Sequence, residues 1–583
     1  MDKPARWLMP TSEPAAAESL AAALGSGALA ARVLVNRGYR DPEAARRFLS
    51  PSLGDLHDPR LLLGMDAAVA RLRRAIAQGE SILLYGDYDV DGTTAVAILI
   101  KAIEIAGCRA GFHIPHRTKD GYGMHAAAID RAAADGVTLI VSVDTGIRAA
   151  EAVRQAGALG MDVIVTDHHL PDTALPPALA IINPQQPGCQ YPNKNLCGAG
   201  VAFKLAQALL ETLDWPPEKV RRLTESFLKV VAIATVADVV PLTGENRVFV
   251  KRGLEGLRSV RSPGLRALLD VAGLKDGGAL SATQVAFQVA PRLNAAGRMA
   301  DAGAIVELLL TGDEARAREI AGQLDALNRE RQQTESAIVR AVLAACLTAP
   351  VTDAQPALVF AGEGWHRGVA GIVASRLVER FHRPVFVLGI DAGAAVAQGS
   401  GRSIRAFHLL EALESMPDLF QHFGGHRQAA GVSLDAGRID EFRERLAAYA
   451  AARLTPEDFT NEIAIDATLD FAELDERSVE GVLSLAPFGF GNPAPVFAAC
   501  NVEVAAAPVA MKEKHLRLTL RQNGRTLGVK AWNFAERAAE LAPGRLVDVA
   551  VCIEADPYAA ARGYPPWSAV LRDVRPPGLR PLD

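Results

Sequence analysis

From residue 81 onward, short apolar runs alternate with helix-length segments, and several of the runs stop at acids. Ser81–Gly86 ends at Asp87, and Thr93–Ala106 then continues apolar for the length of a helix. Thr138–Val143 ends at Asp144, Asp162–Thr166 ends at Asp167, and Ala180–Asn183 is a fourth run. Short β-branched runs alternating with helical stretches predict β-α units around a parallel sheet. Ligands of such sheets bind beyond the carboxyl ends of the strands. Three strand ends would therefore gather carboxylates on one rim. Asp87, Asp89 and Asp91 are spaced by two, and they would share one face if the chain is extended there.

The pattern changes along the chain. Residues 1–80 are helical and Ala-rich, with a proline-punctuated stretch near Pro51 to Pro59. Residues 200–310 are mostly helical, broken by Pro241 and Pro291. Residues 313–347 form one long helical pattern whose middle, Asn328 to Thr334, is polar all round. Such a helix often bridges domains through solvent, which places a boundary there. A second α/β segment begins near Ala357–Phe360, contains the strand candidate Pro384–Leu388, and ends near Leu454. Alternation in His515–Leu520 and in Leu546–Ile553 predicts a small β-barrel. The expected fold is α/β. It comprises an N-terminal helical segment (1–80), a parallel-sheet domain with a helical extension (81–312), a connecting helix (313–347), a second α/β domain (348–454) and a barrel (455–583).

Length and composition narrow this picture. At roughly 100–200 residues per domain, 583 residues suggest three or four domains. Hydrophobic residues at 49% and charged residues at 22% are ordinary for a globular protein. Met1 to Pro14 does not resemble a secretory signal. No apolar run reaches the length of about 18 residues that a membrane span needs. The expected location is cytoplasmic. The six cysteines are scattered without C-x-x-C spacing, which argues against a zinc ribbon or a disulfide framework. The net charge of −5 argues weakly against a nucleic-acid partner, but the distribution of bases decides that question.

Crowded carboxylates repel one another unless a cation neutralises them. Carboxylates with imidazoles suit Mn²⁺, and carboxylates with water suit Mg²⁺. The run Asp87 to Gly92 is not an EF-hand loop. That loop needs a Glu where this chain has Ile98, and here the flanks are a strand and a helix. Asp167-His168-His169 at a strand end is better explained as ligation than as structure. Asp144 and Asp238 complete the set, the latter an acid in an apolar neighbourhood that is costly without a cation. Enough donors are present for two metals of the kind that activate water and stabilise both oxygens of a phosphoryl transfer.

These residues resemble the DHH phosphoesterase superfamily and, within it, the RecJ family of single-strand-specific exonucleases. The resemblance rests on Tyr85 to Thr94, Arg117 to Gly123, Asp144 to Ile147, Asp167 to His169, Ala237 to Leu242 and Arg292 to Arg298. It continues in Gly364 to Gly371, Gly399 to Ser403 and Gly424 to Gly431. It implies a 5′→3′ exonuclease that releases mononucleotides from single-stranded DNA with two Mn²⁺ or Mg²⁺ ions, in repair and recombination. It further implies a barrel of the oligonucleotide-binding kind and a single-strand-binding protein as partner. Carried over residue by residue, Asp89, Asp91, Asp144, His168 and Asp238 are implied metal ligands. Asp87 is implied to lie behind them or toward substrate, and His169 beside the scissile phosphate.

Cations are needed to neutralise phosphate and fix register. Arg117 and Lys119 follow the strand candidate Gly111–Pro115. Arg292 and Arg298 flank a loop containing Asn294, and Arg402 and Arg405 sit around the Gly-rich loop Gly399-Ser400-Gly401. By similarity, Arg298, Ser400 and Arg402 grip a terminal phosphate, and Arg117, Asn294 and His426 join the DNA-contacting set. Arg517, Arg521 and Lys530 would supply charge, and Trp532 is either a stacking ring or a barrel core residue. Phe488 and Phe490 are either family features or packing between domains. Three alternatives fit less well. A phosphodiesterase for very short or cyclic oligonucleotides would lack the C-terminal segment, a pyrophosphatase would lack the glycine-rich runs, and a non-catalytic scaffold would lose ligating acids.

Overall fold

The computed structural model describes residues 5–117, 120–274, 277–352, 354–391, 393 and 395–578. The chain forms two compact units. One contains Trp7–Asn294, Asp301–Gly322 and Ile463–Asp583; the other contains Met1–Arg6, Ala295–Ala300 and Gln323–Glu462.

In the first unit, five strands form a parallel sheet: β1 (Ile82–Tyr85), β2 (Ala110–His113), β3 (Leu139–Val143), β4 (Asp162–Thr166) and β5 (Ala180–Ile182). Their order is β2-β1-β3-β4-β5. Successive side chains of a strand point to opposite faces, so each strand feeds two cores. Leu84, Val141 and Ile164 face helices α1 (Val90–Ile105), α2 (Gly198–Leu210) and α3 (Pro217–Ala237). Tyr85, Ile140 and Val165 face the helices Ala126–Ala134 and Ala150–Ala158. Burial on both faces explains why the strands read as continuous apolar runs. Because all the strands run parallel, the β-to-α turns of the sheet lie on one rim.

The barrel lies in the same unit. Strands Val496–Val504, His515–Gln522, Arg525–Ala531, Leu546–Ala555 and Trp567–Arg575 close through the pairs Glu503↔Arg521 and Val504↔Leu520. Leu516, Leu518 and Leu520 alternate into its interior. The N-terminal helices Pro14–Leu24, Ala28–Asn36 and Pro42–Leu49 contribute Leu20, Leu29, Val33 and Phe48 to the core that holds Phe497 and Val551. The two ends of the chain thus share one core.

Arg247, on helix α4 (Gly244–Gly256), fastens this arrangement. Its guanidinium is buried and, among the described residues, has no carboxylate beside it. It donates to the carbonyls of Phe48 (2.5 Å), Leu485 (2.9 Å), Ala486 (2.8 Å) and Pro487 (3.3 Å). It also lies 3.7 Å from the centre of the Phe48 ring. Burial pushes this guanidinium down to about 10.

Two expectations are corrected. Residues 290–299 are not a loop but helix α5 (Ala290–Met299), which follows a π-helical turn, Val285–Val289. Pro291 lacks the N–H and needs room at the preceding carbonyls, and the wider turn accommodates both needs. The long helix α6 (Glu314–Thr348) is present, but its polar middle is not solvated all round. Asn328, Arg331 and Glu335 are buried. Arg331 binds Glu335 at 2.8 Å and Asn328 at 3.0 Å, and Arg376 also pairs with Glu335. Spacing by three and four puts these partners on one helix face.

In the second unit, β6 (Leu358–Glu363), helix α7 (Arg367–Phe381), β7 (Val385–Asp391), β8 (Val396–Arg402), β9 (Phe420–Gly425), β10 (Ala429–Asp435) and helix α8 (Ile439–Ala451) form a mixed sheet between two helices. Its order is β9-β10-β8-β7-β6, with only β6 and β7 parallel. Val385 and Val387 face Val369 and Val373 of α7. Phe386 and Leu388 face Phe442 and Leu446 of α8. The Gly-rich segments at Gly399 and Gly424 are strand, not loop. A Cβ at Gly399 would lie 1.9 Å from the Val387 carbonyl oxygen, so that glycine permits close strand packing. Among the described residues, no single helix is long and apolar enough to cross a membrane.

Arg247→Ala leaves several buried carbonyls unpaired at once. It is expected to cost about 3 kcal/mol or more. Limited proteolysis reads this as faster cleavage within residues 485–493 and a lower unfolding midpoint.

Candidate metal centre

The acidic runs fold differently from simple alternation. Helix α1 begins at Val90, so Asp87, Asp89 and Asp91 do not lie along one extended face. Asp89 is the helix N-cap and accepts the N–H of Gly92 at 3.0 Å. Asp91 sits in the first turn, where the N–H groups of Gly198 (2.5 Å) and Ala199 (2.8 Å), at the start of α2, donate to its two oxygens. Helix N-termini favour negative charge, and charge-assisted bonds of this kind are strong. Gly92 allows the close turn, because a Cβ there would lie 2.6 Å from the Asp87 carbonyl oxygen.

Asp144 follows β3 in the left-handed region, at φ 59°, and its N–H donates to the Thr166 carbonyl at 3.0 Å. A non-glycine residue held there stores strain that the surroundings must impose. Asp167 follows β4 and is fully buried. One oxygen accepts Ile147 N–H at 3.0 Å; the other accepts the N–H groups of His168 (2.7 Å) and His169 (3.1 Å) and meets His169 Nδ1 at 2.7 Å. Asp167 thereby fixes the loop and its imidazoles. His168 Nε2 lies 3.2 Å from Asp144 and 3.8 Å from both Asp91 and Asp238. Asp238 caps the C-terminal end of α3, the end where a helix disfavours an anion.

Three groups have donor atoms within 4.8 Å of one another: Asp87, Asp89 and Asp144; Asp91, His168 and Asp238; and Asp144, His168 and His169. Asp144 and His168 each belong to two of these groups, so two ions sharing ligands fit the arrangement. One oxygen each of Asp87, Asp144 and Asp238 is buried and accepts no hydrogen bond among the described residues. Unsatisfied buried carboxylates are costly. A cluster of hard oxygens with imidazole nitrogen matches a divalent cation such as Mn²⁺ or Mg²⁺. Asp87 enters this group on equal terms with Asp89.

The electrostatics agree. Burial, reinforced by neighbouring carboxylates, holds the Asp87, Asp144 and Asp238 carboxyls well above the usual range. Burial also raises Asp91, against the pull of His168 and the two amides. Burial pushes His168 down, favouring the neutral imidazole that ligates. Asp167 is the exception: burial would raise it, but the His169 bond and the amides outweigh burial and lower it. Burial would lower His169, but its bond to Asp167 and the surrounding carboxylates raise it.

The remaining predicted residues are distributed. Arg117 stacks 4.9 Å from the centre of the Tyr88 ring, and Lys119 lies outside the described residues. Asn294 Oδ1 accepts the Val90 N–H at 3.3 Å, so it props the start of α1. In the second unit, Arg298 donates to the Gly368 carbonyl at 3.0 Å. Arg402 is packed so close to α7 that a Cβ at Gly371 would lie 2.8 Å from Nη2. Ser400 lies two residues before it on β8, and His426 follows β9 with its N–H on Ala429 at 2.8 Å. In the barrel, Trp532 is 45% exposed and meets His515 edge-on at 5.0 Å, so it is not a core residue. Arg521 and Lys530 are paired with Glu503 and Asp556. Phe488 packs on the barrel core, whereas the Phe490 side chain is exposed and its carbonyl accepts the Leu242 N–H.

Gly198, Ala199 and Tyr122 went unrecognised as site residues in the sequence. The Tyr122 hydroxyl is 3.3 Å from His169 Nδ1. The one signal for Gly198 is the run of small residues, Gly198-Ala199-Gly200, that opens an apolar helix.

Comparison with known proteins extends these findings. Residues 81–235 match the DHH family N-terminal domain, residues 354–452 the DHHA1 domain and residues 465–563 the RecJ OB domain. The chain is 41% identical over 503 residues to the single-stranded-DNA-specific exonuclease RecJ of Dickeya dadantii, spanning 84% of this chain and 85% of that protein. It is 39% identical over 545 residues to the protein of the same name from Bacillus subtilis, spanning 93% of this chain and 68% of that protein. The crystal structure of RecJ in complex with Mn²⁺ from Thermus thermophilus superposes with a TM-score of 0.83 at 32% identity, covering 99% of this chain and 80% of that one.

Gly198→Ala would push a methyl to within 2.5 Å of Asp144. Titration calorimetry should show Mn²⁺ affinity reduced about 10–100-fold, the usual loss when ligand support fails. Carboxyls raised in this way release their protons only at higher pH than free ones, and a cation competes with those protons. Mn²⁺ uptake is therefore expected to release protons and to tighten as pH rises, which calorimetry in buffers of different ionisation enthalpy will show. By linkage, carboxyls raised in the fold weaken the metal-free protein as pH increases. The Mn²⁺-induced gain in melting temperature should therefore grow as pH rises above the ordinary carboxylate range.

Proposed function

The chain belongs to the RecJ family of single-stranded-DNA-specific exonucleases, and from that premise we propose that it degrades single-stranded DNA from the 5′ end to mononucleotides. The observation that carries this reading is the set of buried, unsatisfied carboxylate oxygens of Asp87, Asp144 and Asp238 around one rim of the sheet. Asp89, Asp91, Asp144, His168 and Asp238, together with Asp87, would hold two divalent ions, Mn²⁺ or Mg²⁺. Bound there, the ions supply an activated water and charge neutralisation for an in-line phosphoryl displacement.

The chain's own groups do the rest. Asp91 is held in place by two amide donors. Asp167 keeps His169 oriented and favours its protonated form, leaving Nε2–H for a phosphate oxygen beside the scissile bond. In the second unit, Arg298 and Arg402 flank the first turns of α7 and, with Ser400, grip a terminal phosphate. A guanidinium pair at a helix N-terminus suits an anion. Anchoring the end phosphate sets both polarity and exonucleolytic action. Arg117, Asn294 and His426 assist the DNA path, and Trp532 offers a stacking ring on the barrel.

In this reading, residues 1–80 support the barrel, 81–312 carry the chemistry, 313–347 connect, 348–454 hold the end and 455–583 bind the strand. Action in repair and recombination, in the cytoplasm and beside a single-strand-binding protein belongs to the same proposal.

Two measurements test it. Mn²⁺-dependent nucleotide release from a long single strand should exceed release from a dinucleotide, and Asp144→Ala should abolish it. A wild type that binds single strands but releases nothing with any metal would refute it. Arg402→Ala should lower processing of 5′-phosphorylated ends about 10–100-fold, given charge-assisted bonds of roughly 1.5–3 kcal/mol each. Processing of 5′-hydroxyl ends should change little, and equal losses would remove the grip.

A further inference from the structure

The Trp365 segment, Gly364-Trp365-His366-Arg367, has no role in the mechanism above. It closes one end of a cavity of about 790 Å³ within the second unit. The lining includes Trp365, Arg367, Gln398, Gln421, Glu363 and Asp391. The indole is seated on the end of β6: a Cβ at Gly362 would lie 2.2 Å from its Cε2. The Trp365 main chain is seated on β7, where a Cβ at Gly389 would lie 2.0 Å from its carbonyl oxygen. Two glycines thus leave room for a fixed, half-buried aromatic plate at the cavity wall.

Opposite the strand ends runs a polar ladder. Arg367 Nη1 donates to Gln398 Oε1 at 2.7 Å. Gln398 Nε2 donates to Ser433 Oγ at 3.3 Å, and Ser433 Oγ donates to Gln421 Oε1 at 3.3 Å. The orientation of both amides follows from this chain of bonds. Gln398 keeps a second N–H, and the Gln421 NH₂ group is left to donate. The ladder therefore presents donors beside an aromatic ring. Glu363 and Asp391 at the wall disfavour a second phosphate there.

Position decides the occupant. Gln398, Ser400 and Arg402 alternate along β8, and their partners Gly389, Val387 and Val385 lie on the α7 side of the sheet. At about 3.3 Å per residue, Gln398 is roughly 7 Å from Ser400, about the distance from a nucleotide's phosphate to its base. We propose that this cavity holds the base of the 5′-terminal nucleotide, stacked on Trp365 and hydrogen-bonded by the Gln398–Gln421 ladder. This rests on the reading of Ser400 and Arg402 as the terminal-phosphate grip. Stacking tolerates any base because every base has a π-face. Each base also carries an acceptor on its sugar edge, N3 or O2, so the two amide donors of the ladder do not select sequence.

The test uses the full-length protein with Mn²⁺ and 5′-phosphorylated single strands that begin with an ordinary nucleotide or with a tetrahydrofuran abasic residue. Wild type should show a KM higher for the abasic end on the order of tenfold. Trp365→Leu should raise KM for the ordinary end most of the way to the abasic level, leave the abasic KM unchanged and keep the preference for 5′-phosphate over 5′-hydroxyl. Trp365→Phe should retain discrimination, and Gln421→Ala, on the exposed end of the ladder, should reduce it without loss of fold. Equal KM values for both ends in wild type, or discrimination undiminished in Trp365→Leu, would overturn the base pocket. Absence of any 5′-phosphate preference in wild type would instead overturn the grip, because the abasic comparison reads the base alone.

Discussion

The mutual repulsion of carboxylates gathered on one rim is the constraint around which the first unit is organised. Asp87, Asp91 and Asp144 are almost wholly buried, and Asp238 joins them from a helix end. Ionised together, such groups are far from stable in a medium of low dielectric constant. The protein meets part of the cost with main-chain dipoles, since α1 and α2 both begin at the cluster. It leaves the remainder for a cation, shown by the oxygens that accept no hydrogen bond. Stability is given up locally so that binding energy has somewhere to act.

Around that cluster, the supporting residues are less conspicuous than the ligands but as tightly specified. Asp167, the acid of the DHH run, is fully buried, and its oxygens are taken up by the main-chain N–H groups of Ile147, His168 and His169 and by the His169 ring, which ties down the loop that carries the two imidazoles. Gly198 is in place because its amide must reach Asp91 while leaving Asp144 space. Asn294 props the first N–H of α1 from a helix far along the chain. A parallel sheet buried on both faces supplies the rigidity that keeps these short contacts in register.

The second unit solves a related problem with cations. Arg298 and Arg402 are packed against glycines of α7, which brings guanidinium groups close to a helix N-terminus without space for other side chains. The same face of β8 continues into the Trp365 cavity. Arg402, Ser400 and Gln398 are laid out along that strand, two residues apart at each step, and Gln398 lines the cavity that Trp365 walls.

Much of the fold was legible because hydrophobic periodicity is a local property. The runs at Ile82, Leu139, Asp162 and Ala180 became strands, and the alternation at His515 became a barrel wall. That Asp87, Asp89, Asp91, Asp144, His168 and Asp238 would be brought together was legible too, since acids crowded at the ends of buried elements are costly without a cation. What sequence could not supply was the consequence of capping: Asp89 turns the chain into a helix, and the expected extended alternation disappears. Nor could it reveal that Asn328, Arg331 and Glu335 satisfy one another in burial, or that Pro291 is absorbed by a π-turn. Contacts such as Gly198 with Asp91, Arg247 with the carbonyls near Leu485, and the N-terminal helices with the barrel core join residues tens to hundreds of positions apart. They depend on how finished elements pack. Local chemistry therefore determined which elements form and which residues bear charge, while tertiary packing decided which charges meet and what holds them there.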